Sequence, residues 1–134
     1  KVGITVKIVE YEWNTFLSKL ESHQHDSVLI GWAADSPDPD NFFSPILSCA
    51  AAISGKNQAN WCNSEFDLLL TQALDTTDIE KRKRFYFQAQ QILMQQLPLL
   101  PLSHGMRFQA TTDLVSGIEL KPFGGVSLAN ARVN

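Results

Sequence analysis

The hydrophobic pattern along this chain changes period several times, and each change marks an element. Residues 4–11 alternate and carry the β-branched side chains Ile4, Val6, Ile8 and Val9, which predicts a strand. From Trp13 the spacing becomes helical. Trp13, Phe16, Leu17 and Leu20 form one apolar stripe that runs to about Glu21. A polar connector over 22–26 leads to the nearly continuous apolar run 27–32, read as a second, short strand. A strand that is apolar on both faces is covered on both faces, which predicts a parallel sheet and a right-handed β-α-β crossover.

The stretch 31–43 then turns through Pro37 and Pro39, presents Asp35, Asp38 and Asp40, and ends on Phe42 and Phe43. Asp38 suits a helix N-cap, Pro39 the first helical position and Asp40 the positive end of the helix dipole. Phe42, Phe43, Ile46 and Leu47 supply the buried face of that helix, and a loop bounded by Cys49 and Cys62 follows. Residues 64–67 resemble a capping box with Asp67 in place of Glu, ahead of the stripe Phe66, Leu69, Leu70, Ala73 and Leu74. A second box, 77–80, opens a helix through Tyr86, Ala89, Leu93 and Leu97 that Pro98 stops. Short strands are expected at 99–104, 107–110 and 117–121, with a turn at 122–125. The tail, 126–134, has few large apolar residues, so it is expected to rest on another part of the molecule. The pattern as a whole predicts an α/β fold: a β-α-β unit, helices, then short C-terminal strands, in a single domain over 1–134.

A length of 134 residues with 44% hydrophobic and 10% aromatic content suits one soluble domain with a modest core, and excludes disorder. The 14 acidic and 11 basic residues give a net charge of -3, which excludes a broad basic field for nucleic acid. The one local basic run, Lys81 to Arg84, falls in the first half of a capped helix and reads as its solvated outer face; a nucleic-acid surface there is the alternative. No apolar run approaches the roughly 20 residues needed to cross a bilayer, and no signal-peptide pattern is present. The sequence starts without an initiator Met, directly in strand-like residues, which reads as a piece of a longer chain.

Three carboxylates crowd the 31–43 stretch, and paired carboxylates can perform acid/base chemistry. Asp38 and Asp40 are accounted for by the helix start, which leaves a carboxylate-pair hydrolase as an alternative only. Asp35 differs, because it follows the carboxyl end of the 27–32 run, where open α/β sheets place ligands. There, beside Trp32, it suits a cationic ligand group; a solvated turn aspartate accounts for it equally well. His23 and His25 lie two apart in a short connector with no further ligand nearby, so they read as solvated loop histidines and no metal site is expected. His104 reads as a packed or hydrogen-bonded sheet residue. No serine or glycine motif assembles a nucleophile or a phosphate cradle. Cys49 and Cys62 are either two buried thiols or a disulfide; the lack of a competing cysteine and the intervening loop favour the disulfide and an oxidising compartment.

Tyr11-Glu12-Trp13, Gly31-Trp32, Asp35, the run Asp38 to Phe43, the run Ser48 to Ala52 and Trp61-Cys62, with further similarity over 82–91 and 99–104, resemble one family. This is the carboxyl-terminal part of the dipeptide/oligopeptide family of periplasmic solute-binding proteins, the receptors of ABC importers (solute-binding protein family 5). Within it, the dipeptide-binding and Sap-type antimicrobial-peptide branch of Gram-negative bacteria is most similar. The resemblance implies a monomeric, two-lobed periplasmic receptor without cofactor or catalytic residues. This chain would form part of one lobe, with residues from about 117 to 134 returning to the other. It implies that Asp35, Trp32 and Ala34 contact ligand, Asp35 pairing with a peptide α-ammonium, and that Cys49 and Cys62 form the disulfide of the dipeptide branch. It implies an inner-membrane ABC permease as partner and peptide transport, including antimicrobial-peptide resistance, as the process. Ala33-Ala34 and Ser36-Pro37 replace the more polar, glycine-rich residues of the dipeptide proteins. Dipeptides, oligopeptides, cationic antimicrobial peptides and haem therefore all remain as ligand classes.

Overall fold

The computed structural model describes residues 2–134. Among the described residues, five helices precede four two-residue strands: α1 (Trp13–Glu21), α2 (Asp40–Leu47), α3 (Cys49–Ile53), α4 (Ser64–Asp75), α5 (Ile79–Gln96), β1 (Val115–Ser116), β2 (Glu119–Leu120), β3 (Val126–Ser127) and β4 (Arg132–Val133). Helices followed by short C-terminal strands are the mixed class that the pattern predicts.

The core forms where the apolar stripes of three helices meet. α2 contributes Phe43 and Leu47, α4 contributes Phe66, Leu70 and Ala73, and α5 contributes Tyr86 and Ala89. Phe66 is 0% exposed. Its ring packs edge-on against Phe43, with centroids 6.0 Å apart, and against Trp61 at 5.1 Å. Such aromatic pairs add specific geometry to the burial energy. The expected stripe residue Leu74 lies outside this core, and Phe42 stays at its edge.

Both capping boxes shift by one residue. Asn63, not Ser64, caps α4 by accepting the Phe66 N–H at 3.0 Å. Asp67 is thereby free to accept the Cys49 N–H at 3.1 Å, tying the start of α3 to α4. Asp78, not Thr77, caps α5 by accepting from the Glu80 and Lys81 N–H groups at 3.0 and 3.1 Å. Asp is the stronger cap. Glu12 caps α1 in the same way, and α5 ends on a left-handed Leu97 just before Pro98. α3 falls inside the cysteine loop, where the pattern predicts no helix. Its C-terminal loop is organised by Asn57, 0% exposed, whose Nδ2 donates to the Trp61 carbonyl at 2.8 Å.

The two expected N-terminal strands, 4–11 and 27–32, form no ladder among the described residues, and Ile4, Ile8 and Leu29 are exposed. A strand is completed by a hydrogen-bonding neighbour, and none of the described residues pairs with them. Of the expected β-α-β crossover, only the helix, α1, forms among the described residues. Segments 99–104 and 107–110 likewise have no ladder. The tail does find support within the chain: β4 pairs antiparallel with β1, and β3 with β2. Gly117, at φ +75°, makes this possible, because a Cβ there would lie 1.9 Å from the Asn130 carbonyl oxygen.

Candidate functional site

The loop between the 27–32 segment and α2 is shaped by one residue, Asn41, in the first turn of α2. Its side-chain Oδ1 accepts the Asp35 backbone N–H at 2.7 Å. Its backbone carbonyl accepts the Trp32 Nε1–H at 3.0 Å. The loop therefore holds Trp32, Ala34 and Asp35 together on the helix start. Trp32 is 44% exposed, and Asp35 is exposed with no partner for its carboxylate among the described residues. Ala34, half-buried between them, makes no side-chain polar contact. The loop presents an exposed indole and an exposed carboxylate from two residues that are both tied to Asn41.

The other two acids of the stretch are occupied. Asp38 Oδ1 accepts the Asp40 N–H at 2.9 Å and the Tyr86 hydroxyl at 3.2 Å, while Oδ2 takes the Arg82 guanidinium at 2.5 Å. Burial alone would raise the Asp38 carboxyl, but the Asp40 N–H, Arg82 and Tyr86 together hold it below the ordinary 3.8. Burial, and then the Asp38 charge, push the Tyr86 hydroxyl above its ordinary 10.0 against the opposing pull of Arg82, so it stays a donor at neutral pH. Asp40 accepts the Ser44 hydroxyl within its own helix. Neither acid is poised as a general acid or base, and the carboxylate-pair hydrolase is left without a mechanism.

Arg82 corrects a second expectation. It is not part of a solvated basic face: it reaches back across the core edge to Asp38 and donates to the Tyr86 hydroxyl at 3.2 Å. Lys83 pairs with Glu80 at 2.8 Å, and Lys81 lies 3.8 Å from Asp78. The basic run is thus partly neutralised, which weakens it as a phosphate-binding surface. His25 packs against the cysteine loop, its Nε2–H donating to the Gln58 carbonyl at 3.0 Å. No cluster of three metal-ligating side chains occurs among the described residues. Cys49 and Cys62 are disulfide-bonded, with Cα atoms 4.5 Å apart.

Two members of this constellation escape a pattern-based reading. Asn41 looks like an ordinary first-turn residue, and its acceptor role depends on how the preceding loop folds back. Arg82 carried a usable signal: it sits four residues before Tyr86, on the same helical face as Tyr86, Ala89 and Leu93.

Comparison with known proteins agrees with the resemblance carried by these residues. Residues 1–54 match the family model of the bacterial extracellular solute-binding proteins, family 5 Middle. The chain is thus related to the family-5 solute-binding proteins. Among these it is similar to the Sap-type and dipeptide-binding members. It is 46% identical over 129 residues to the peptide transport periplasmic protein SapA of Salmonella typhimurium, covering 96% of this chain and 24% of that protein. It is 40% identical over 133 residues to the di/tripeptide-binding protein 4 of Pseudomonas aeruginosa, covering 99% of this chain and 25% of that one. The crystal structure of the dipeptide binding protein from Pseudoalteromonas sp. SM9913 in complex with Met-Leu superposes with a TM-score of 0.92 at 66% identity, over 98% of this chain and 26% of that one. The chain spans about a quarter of the length of the relatives it matches. No helix among the described residues is long and apolar enough to cross a membrane.

Proposed function

We propose that this chain supplies one wall of the ligand cleft in a periplasmic, non-catalytic peptide receptor that delivers its cargo to an inner-membrane ABC permease. The observation that carries this is Asp35: an exposed carboxylate on the same Asn41-tied loop as an exposed indole, while the neighbouring Asp38 and Asp40 carboxylates are engaged. An anion in a cleft that closes over its ligand gains strength as water leaves, provided it meets an ammonium and further hydrogen bonds. The α-ammonium of a peptide meets that need whatever the side chains, which suits a receptor for many di- and oligopeptides. Cationic antimicrobial peptides fit the same chemistry. Haem fits less well, since its propionates are anions and this loop offers them no cation. The names of the relatives, which include peptide transport, dipeptide-binding and di/tripeptide-binding proteins, support this reading.

The rest of the receptor accounts for what this chain leaves bare. The apolar side chains of 4–11 and 27–32 complete a sheet with strands contributed from elsewhere, and residues 117–134 pack towards the other lobe. The receptor acts as a monomer. Calorimetric titration of the full-length receptor with Met-Leu and with N-acetyl-Met-Leu tests the proposal. It expects at least about tenfold preference for the free amine, the weight of one charge-assisted hydrogen bond. Equal affinities would overturn it.

A further inference from the structure

We infer that Asn41 is the positioning residue of this site, and that its two hydrogen bonds make the site selective for a cationic ligand end; this rests on the peptide-receptor reading above. The Trp32 indole N–H and the Asp35 backbone N–H are polar hydrogens of the two residues that face ligand. Asn41 takes both, at 3.0 and 2.7 Å. What their side chains still offer is a carboxylate and an aromatic face, and each of these attracts a cation. Neither N–H is left for a carboxylate or an acyl-capped amine. Selectivity then comes as much from the consumed donors as from the exposed acid.

Asn41 can act in this way because its own position is fixed from the core. Its N–H donates to the Asp38 carbonyl at 3.0 Å. Two residues on, Phe43 is buried against Phe66 and Tyr86. The loop therefore inherits the rigidity of α2, and Asp35 is held in one place before ligand arrives. Such preorganisation adds affinity without adding a contact.

Removing the Asn41 side chain should release the Asp35 N–H and loosen the loop, while the backbone bond to Trp32 stays. In the full-length receptor, Asn41→Ala is expected to weaken Met-Leu about three- to tenfold, the weight of one net hydrogen bond. It should also narrow the ratio between Met-Leu and N-acetyl-Met-Leu and speed hydrogen exchange at the Asp35 amide. Asn41→Asp keeps an acceptor at the same distance and is expected to retain both the slow exchange and the ratio; it also carries the test if the alanine variant fails to fold. Asp35→Asn, measured alongside, separates the two levels. If Asp35→Asn weakens Met-Leu while Asn41→Ala leaves ratio and exchange unchanged, the positioning role is wrong and the receptor reading stands. If Asp35→Asn changes nothing, the receptor reading fails, and the selectivity inferred here fails with it. A ratio lost equally in Asn41→Asp and Asn41→Ala would also overturn the role given to the acceptor.

Discussion

Arg82 on α5 and Asp38 at the mouth of α2 are joined by a 2.5 Å ion pair between residues 44 apart in sequence, and the Tyr86 hydroxyl closes the triangle. Asp38 thus does two jobs: it accepts the Asp40 N–H at the start of α2 and moors that helix to α5. Because α2 carries Asn41, the mooring also sets where the site loop sits. The pair is partly exposed, so solvent screens much of its attraction. Its worth lies in geometry as well as energy.

The N-cap position of α2 falls on Pro39 and not, as expected, on Asp38, because the helix starts one residue later, at Asp40. Asp38→Ala removes the acceptor of the Asp40 N–H and the pair together, and should lower stability by about 1–2 kcal/mol. Arg82→Ala removes only the pair, and should cost about 1 kcal/mol or less. In urea unfolding of the full-length receptor, a double-mutant cycle between them should show a coupling of about 0.5–1 kcal/mol. Additive effects would mean that the pair has no energetic role.

The pH dependence follows from the lowered Asp38 carboxyl. A group whose folded value is depressed contributes stability that is fully present above its unfolded value and is lost as pH falls through the folded one. The stability gap between wild type and Asp38→Asn should therefore be constant from neutral pH down to about pH 5, and should shrink below about pH 4. A gap that widens on acidification would contradict the assignment.

Much of this organisation was legible in the sequence. The stripe from Trp13 to Leu20 became α1, and Pro98 ended α5 as a residue without an N–H must. The core of α2, α4 and α5 needed only periodicity, since each of these three stripes finds its partner nearby in sequence. The strands were harder. Residues 4–11 and 27–32 have strand composition, but composition does not supply a neighbour, and none of the described residues pairs with them. In the site, Asp35 stood out because Asp38 and Asp40 had structural explanations and because it follows the 27–32 run. Asn41 and Arg82 did not stand out, since their partners, Asp35 and Asp38, are set by how a loop folds back.

The disulfide closes a loop of 13 residues' separation around α3 and the buried Asn57. Restricting such a loop in the unfolded chain is worth about 3 kcal/mol in the loop-entropy description. The Cys49→Ser, Cys62→Ser double variant should lose about 2–3 kcal/mol in urea unfolding, with Met-Leu binding nearly unchanged at low denaturant. A large loss of affinity in a folded variant would show that the loop reaches the ligand.

Gly117 allows β1 and β2 to pass beside residue 130, and no side chain fits there. Gly117→Ala combines a positive φ with a clash against the Asn130 carbonyl, and should detach the β1–β4 pairing at a cost of at least about 1–2 kcal/mol. Faster hydrogen exchange at Val115 and Asn134, whose N–H groups donate to the Thr112 and Leu114 carbonyls, would register it. Unchanged exchange would mean that the tail is held by other contacts.

The central claim is that the Asp35 carboxylate anchors the ammonium of a bound peptide. Calorimetric titration of the full-length receptor with Met-Leu, wild type against Asp35→Asn, tests it most directly. Asparagine keeps the size and removes the charge, and truncating one partner of a desolvated pair costs about 2–5 kcal/mol, so affinity should fall by about 30-fold or more. Equal affinity in the two proteins would contradict the account.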